Sequence, residues 1–359
     1  MRVGLYFAAG VFATLAGCSL PPPVSTADHS TRCEVEGAPP AGSLLFATAR
    51  MPDCDGPTQK ITDLRGKKLM YAALERSGAV RFYHAKAWWD ALAGRVGAGH
   101  PPLLFIHGYN NSNGSALATA LAIEQAIRGG HEVIALTWPS YDRLPKYFWD
   151  ETNAAWANAM SGDLIRQLAT LPGKLTVVGH SMGNHLALDG VAELDPAFRS
   201  QHVAALIMAS PDVDRAEVHR ALDHRLGIPV TIYGSTRDQA LSASWRAHGM
   251  PRAGDLAAWV TGHVPDYSLE DLPDANVVDT SAITIGVVHH SDFISTPEGA
   301  ADLCRVVSGA GDIEDGRDPV PGHIGRWVLK KSVLSDECAR SGAEAYAWLA
   351  QKRPARARH

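Results

Sequence analysis

The chain has 359 residues, 46% of them hydrophobic, which is enough to bury one large core or two modest ones. Its 33 Lys and Arg stand against 38 Asp and Glu, a net charge of −5. That mild acidity argues against nucleic acid as a partner and leaves the fold open.

The N-terminus reads as a targeting segment. Arg2 supplies a short positive region, and residues 3–16 are apolar but too short to span a bilayer comfortably. The run ends in Leu15-Ala16-Gly17-Cys18, which resembles the lipobox of bacterial lipoproteins. The resemblance implies that residues 1–17 are a signal peptide and that Cys18 is lipidated, anchoring the chain to a membrane of the cell envelope. Ser19 in place of an aspartate implies sorting to the outer membrane, facing the periplasm. An ordinary secretory signal with an incidental cysteine is the alternative. Residues 18–42 open with a proline-rich stretch and read as a stiff tether. Four further cysteines, Cys33, Cys54, Cys304 and Cys338, are an even set in an exported chain, which favours disulfides over free buried thiols. Proximity in sequence favours the pairs Cys33–Cys54 and Cys304–Cys338, and none of the four has zinc-ligand spacing, so no metal is expected.

A first strand is expected over residues 43–49. From residue 102 strand and helix signals alternate: strands at 103–106, 133–138, 175–178, 203–209, 230–233 and 276–280, with helices at 116–128, 153–171 and 182–193. Near-continuous apolar strands alternating with helices predict an α/β fold, with a mostly parallel central sheet covered by helices on both faces. Residues 43–300 are expected to form this domain, and 301–359 a C-terminal extension ending in a basic, solvated tail. Residues 139–156 and 245–275 interrupt the rhythm. The first is aromatic (Tyr141, Tyr147, Phe148, Trp149, Trp156) and reads either as a pocket mouth for an acyl chain or as packing under long loops.

The chemistry is concentrated at Gly179-His180-Ser181-Met182-Gly183, after the strand at 175–178 and before a helix. This G-x-S-x-G spacing is that of a nucleophile elbow. Small residues two places either side of the serine let a tight turn present its hydroxyl. A serine needs a base oriented by a third group, and on this fold the chain order is Ser, then acid, then His. Asp238, in the loop after the 230–233 strand, is the first choice for the acid; Asp212 and Asp214 are its competitors. His289 and His290 are the adjacent candidates for the base, with His248, His263 and His323 weaker. His180 cannot serve as the base, because neighbouring side chains at the elbow point apart. The oxyanion hole is expected to use the backbone N–H groups of Met182 and of Tyr109, with Asn110 as the alternative to Tyr109. His107 is expected to stabilise that loop.

With those residues in place, the chain resembles the α/β-hydrolases and, more narrowly, the bacterial DUF900 family. The marks are Phe46-Ala-Thr-Ala-Arg50, Phe105-Ile-His-Gly-Tyr-Asn110, Gly179-His-Ser-Met-Gly-Asn184, Ser210-Pro-Asp-Val-Asp214, Arg237-Asp-Gln-Ala-Leu241, His248-Gly-Met-Pro-Arg-Ala-Gly-Asp255 and His290-Ser-Asp-Phe293. The resemblance implies an α/β-hydrolase fold and favours His290 over His289 and Asp238 over Asp212. The expectation is a cofactor-free serine hydrolase acting on a small-molecule or lipid ester through Ser181, Asp238 and His290. A non-catalytic, lipid-anchored binding protein on the same fold, or an amidase or thioesterase with the same triad, are the alternatives.

Overall fold

Residues 33–55, 59–96, 100–141, 146–224, 226–257, 275–283, 288–309, 316–331 and 336–352 are described by the structure, a computed structural model. Cys18, the tether up to residue 32, His263 and the basic tail after Lys352 lie outside them.

The chain opens with β1 (Glu34–Val35), β2 (Leu44–Asp53), β3 (Lys60–Leu74), β4 (Val80–Tyr83) and α1 (Ala85–Val96). Alternation then begins: β5 (Pro102–Ile106), α2 (Asn113–Ala126), β6 (Glu132–Thr137), α3 (Tyr147–Leu168), β7 (Leu175–His180), α4 (Gly183–Ala192) and α5 (Pro196–His202). It continues through β8 (Val203–Ala209), α6 (Arg215–Asp223), β9 (Val230–Gly234), α7 (Gln239–His248) and β10 (Ala275–Asp279). The last elements are α8 (Asp292–Ser295), α9 (Pro297–Ser308), β11 (Arg317–Pro319), β12 (Arg326–Leu329) and α10 (Glu337–Lys352).

The strands form one 12-stranded sheet in the order β1-β4-β3-β2-β6-β5-β7-β8-β9-β10-β12-β11. Every neighbouring pair from β2 through β6, β5, β7, β8, β9 and β10 to β12 is parallel. Successive residues in these strands feed two cores. Leu104, Ile106 and Val177 face α3 and α4 through Ile165 and Leu186. Leu103, Phe105 and Val178 join Leu117 and Ile123 of α2 and Leu303 of α9. Burial on both faces explains why these strands read as unbroken apolar runs. Each fully buried aliphatic side chain contributes about 1.5–3 kcal/mol of transfer free energy.

Register brings the reactive loops together. Ile106 at the end of β5 pairs with Gly179 near the end of β7, and Ala209 at the end of β8 pairs with His180. Gly234 at the end of β9 pairs with Asp279 of β10. The loops that follow therefore share the carboxyl edge of the sheet, where ligands bind in such folds.

The structure corrects both expected ends of the domain. Residues 33–42 are not simply tether: Cys33 is fully buried and disulfide-bonded to Cys54, and β1 pairs with β4. The boundary expected at residue 300 falls inside α9. The segment beyond it belongs to the same body, because β12 extends the sheet from β10 and Cys338 at the start of α10 is bonded to Cys304 of α9. A buried polar lock adds to this. Arg317 of β11 grips Asp302 of α9 through two 2.7 Å bonds, and the Tyr233 hydroxyl of β9 donates to the same carboxylate at 2.6 Å. The two disulfides close loops of 21 and 34 residues, each contributing about 3–4 kcal/mol if it acts through the unfolded chain. α3 begins at Tyr147 rather than at the expected Asn153, so part of the aromatic stretch is helical. Among the described residues no helix is long and apolar enough to cross a membrane.

Candidate active site

Ser181 sits between β7 and α4 with φ 53°, a left-handed conformation uncommon for a residue with a Cβ. Three backbone links hold it there. Its N–H donates to Ala209 O at 2.9 Å, and its own carbonyl accepts from Asn184 N and from Asp212 N at 3.1 and 3.2 Å. The Asn184 side chain adds bonds to Ser181 O and Ala209 O at 3.0 and 3.1 Å.

The loop after β5 lies directly against this turn. A Cβ on Gly108 would meet the Ser181 Cβ at 2.5 Å, and one on Gly183 would overlap the His107 carbonyl. Only glycine permits this approach, which puts the backbone of residues 107–109 beside the serine.

The loop is held from below by buried polar groups. His107 is buried and stacks on Trp138 with rings 5.1 Å apart. Its Nε2 accepts from Trp138 N–H at 3.1 Å, and its Nδ1–H donates to Gly108 O at 2.8 Å. Burial, with the Arg50 charge adding, pushes its pKa down to about 3, so it is neutral in this tautomer. The His107 ring is thus fully used in holding the loop, as the sequence suggests. The Asn111 side chain donates to Gly108 O and Tyr109 O, and Arg50, fully buried, donates to Asn111 O at 2.7 Å and pairs with Asp63. Asp150 of α3 accepts from Ser140 Oγ, Tyr141 N–H and the Asn110 N–H. The Asn110 amide is therefore engaged by the Asp150 carboxylate.

On the other side, Asp238 caps α7, accepting from Leu241 N–H at 2.9 Å through Oδ1. Its second oxygen accepts from His290 Nδ1 at 2.7 Å. Asp238 is fully buried and the His290 side chain is 17% exposed, so the ring alone of this pair reaches the surface. Burial lowers the pKa of His290, but the charge and hydrogen bond of Asp238 outweigh it, Asp212 and Asp292 add to them, and the net shift is upward. His289 has φ 53°, and this left-handed residue turns the two adjacent imidazoles apart; Asp238 meets His290. His180, excluded as a base, ties the histidine loop to the elbow instead, its Nε2–H donating to the His290 carbonyl at 2.8 Å.

The competing acids are committed elsewhere. Asp212 accepts from Arg252 Nε at 2.9 Å, Ser244 Oγ at 2.6 Å and Tyr147 OH at 2.7 Å. Burial raises its pKa, but these partners more than offset that and hold it below the usual carboxylate range. Asp214 caps α6. His248 bonds Ser244 O and Glu151, and His323 is an exposed turn residue. The aromatic stretch divides: Tyr147 packs on Tyr109 and Phe148, the latter 60% exposed, while Trp156 lies under Arg65. No group of three His, Cys, Asp or Glu able to hold a metal occurs among the described residues.

Residues 98–306 match the family described as alpha/beta hydrolase of unknown function, DUF900. The chain belongs to that family. It is a hydrolase of the α/β fold. No curated protein matches it. Among solved structures, esterase PE8 is similar at 16% identity and TM-score 0.38, over 59% of this chain and 93% of that one. The lin2722 product of Listeria innocua is similar at 11% identity and TM-score 0.37, over 65% and 100%. A Pyrobaculum calidifontis esterase is similar at 14% identity and TM-score 0.27, over 79% and 80%. Likenesses this distant carry no argument about what this hydrolase acts on.

Sequence reasoning gave no role to Asp150, Arg50 or Arg252. Arg50 and Arg252 stand within the motifs quoted for the family, but nothing local signals that they are buried. Asp150 falls in the aromatic stretch that interrupts the rhythm of strands and helices, and only the fold turns it under the loop. Burial pushes its carboxyl up to about 6, against the pull of its hydrogen bonds and of Arg50. The native state then binds more protons than the unfolded chain between about pH 4 and pH 6, so stability falls as pH rises through that window. Asp150→Asn should flatten that fall, of the order of 3 kcal/mol, in urea unfolding followed from pH 4 to 7. An identical pH dependence in the two proteins would contradict the assignment.

Proposed function

We propose that this chain is a serine hydrolase that cleaves carboxylic esters through a covalent acyl-enzyme. The observation that carries it is the 2.7 Å bond between His290 Nδ1 and the buried Asp238, on loops that meet the left-handed Ser181 at one sheet edge. In this reading Ser181 Oγ attacks the ester carbonyl carbon while His290 Nε2 takes its proton. The oxyanion accepts from the N–H groups of Met182 and Tyr109. His290 returns the proton to the leaving alkoxide, the alcohol departs, and the acyl group stays on Ser181. Water then attacks by the same route, releasing the acid and restoring the serine. Asp238 keeps Nδ1 protonated and stabilises the imidazolium without being protonated itself. The neutral, fully bonded His107 and the engaged Asn110 amide support a rigid oxyanion loop that needs no reorganisation during reaction. The aromatic wall of Tyr109, Tyr147 and Phe148 supports an apolar acyl group beside it.

We also propose that the enzyme works at the periplasmic face of the outer membrane, tethered through lipid on Cys18, as the Leu15–Cys18 pattern suggests.

With a chromogenic ester series, Ser181→Ala should lower kcat by about a thousandfold or more and abolish labelling by a fluorophosphonate. Undiminished labelling of the variant would remove Ser181 from the role, and a wild type that neither turns over nor labels would favour the binding-protein reading. The upward shift of His290 sets the sign of the pH profile. The base must be neutral, so kcat/KM should fall tenfold per unit below a pKa that lies above 6.5. Asp238→Asn should move that limb to lower pH and cut kcat by about 10⁴; a limb that stays put would unseat Asp238. For the anchor, labelled palmitate fed to cells should enter the wild type and not Cys18→Ser, and equal incorporation in both would dismiss it.

A further inference from the structure

Beside the Asp238–His290 pair lies a second feature that the hydrolytic scheme does not use. A cleft of about 590 Å³ is lined by Thr236, Arg237, Gln239, Ser242, Arg246 and His289. Arg237 and Gln239 flank Asp238 in the chain, and His289 immediately precedes His290. The two rims are joined where Gln239 N–H donates to Val288 O at 3.1 Å.

The lining is one-sided in charge. Two arginines and a histidine line the space with Thr236, Gln239 and Ser242, the Thr236 hydroxyl donating to Ser281 Oγ and that of Ser242 lying 3.5 Å from Asp255 Oδ2, and no acidic residue among the described residues lines it. Among the described residues no carboxylate lies within ion-pair distance of Arg237 or Arg246, and the Arg246 guanidinium has only a 3.4 Å bond to Ser242 O. Among the described residues the nearby acids are engaged elsewhere. Asp238 is taken by His290 and Leu241, Asp255 is fully buried and caps the turn at Ala257, and Asp279 is held by Ser281. The Nδ1 of His289 is enclosed and has no hydrogen-bond partner. Its backbone is left-handed, a conformation that persists only where the surroundings enforce it, and the residue lines the cleft while Asp238 bonds His290. Guanidinium groups suit the planar oxygens of carboxylate and phosphate, and like charges converging on one space are relieved by an anion between them.

We propose that this cleft binds an anionic group, a carboxylate or phosphate, next to the Asp238–His290 pair. Its use as a substrate subsite rests on the ester-hydrolase reading; its capacity to hold an anion does not. The anion can come from the substrate, as an ester bearing a second, charged group, or from solution as a free ion.

Calorimetric titration of the full chain at low ionic strength, with inorganic phosphate and with glutarate as probes, reads the site without any turnover. Arg237→Gln/Arg246→Gln should weaken both probes at least about tenfold, the loss expected for charge-assisted hydrogen bonds. Arg237→Lys/Arg246→Lys, with the charge kept, should recover part of the affinity, and matching thermal melts keep folding out of the comparison. Kinetics with mono-p-nitrophenyl glutarate and p-nitrophenyl butyrate separates the two sources. A substrate-borne anion gives the charged ester the lower KM and makes phosphate compete with it; a free ion binds without competing. Phosphate binding that depends on the arginines, in a protein that cleaves no ester, would keep the site and remove only the ester reading. A wild type that binds neither probe, or glutamine variants that bind as well as wild type, would overturn the proposal.

Discussion

A Cβ on Gly108 would lie 2.5 Å from that of Ser181, so the loop after β5 rests against the serine turn only as bare backbone. The other features of the edge are arranged around that contact. The parallel pairing of Ile106 with Gly179 sets the two strand ends level. Gly183 lets the first turn of α4 meet the His107 carbonyl. Arg50, Asn111 and Asp150 then fix the far side of the loop, so its backbone is held by a rigid surround.

Backbone strain collects at the same edge. Asn110, Ser181, Ser210 and His289 all have positive φ, and each lies just after a strand or in the histidine loop there; Arg128 is the other non-glycine residue with positive φ among those described. Each such conformation costs on the order of 1–3 kcal/mol, and it survives only where packing over-determines it. The surround here is a sheet whose central strands are buried on both faces, with one disulfide pinning the segment before β1 to the end of β2 and another joining α9 to α10. In this light the disulfides and the Arg317–Asp302–Tyr233 lock matter to the edge as well as to stability, because they keep the outer strands and α9 in register with the body that holds it.

How much of this was readable depended on whether the signal was local. The β5–β10 strands read clearly because burial on both faces makes them apolar without interruption. The elbow read clearly because its glycines are demanded within five residues. The order of Ser181, Asp238 and His290 follows from strand ends, and Asp238 and His290 do meet. Other elements left no such trace. β3 is a long antiparallel strand carrying Lys60, Asp63, Arg65, Lys67 and Lys68, so its charges mask it as loop. β11 and β12 are 3 and 4 residues long and gain their place from pairing alone. The residues that steady the loop after β5, Asp150 and Arg50, act across separations that no short pattern records. His289 and His290 were inseparable by spacing, and a single left-handed residue separates them.

The central claim is that Ser181, the Asp238–His290 pair and two backbone amides act on one carbonyl. It is tested most directly by the crystal structure of the enzyme inactivated with a phosphonate ester, whose phosphorus mimics the tetrahedral carbon. The account predicts phosphorus bonded to Ser181 Oγ, with the phosphoryl oxygen about 3 Å from both Met182 N and Tyr109 N and His290 Nε2 facing Oγ. An adduct on another residue, or a phosphoryl oxygen turned away from those amides, would contradict it.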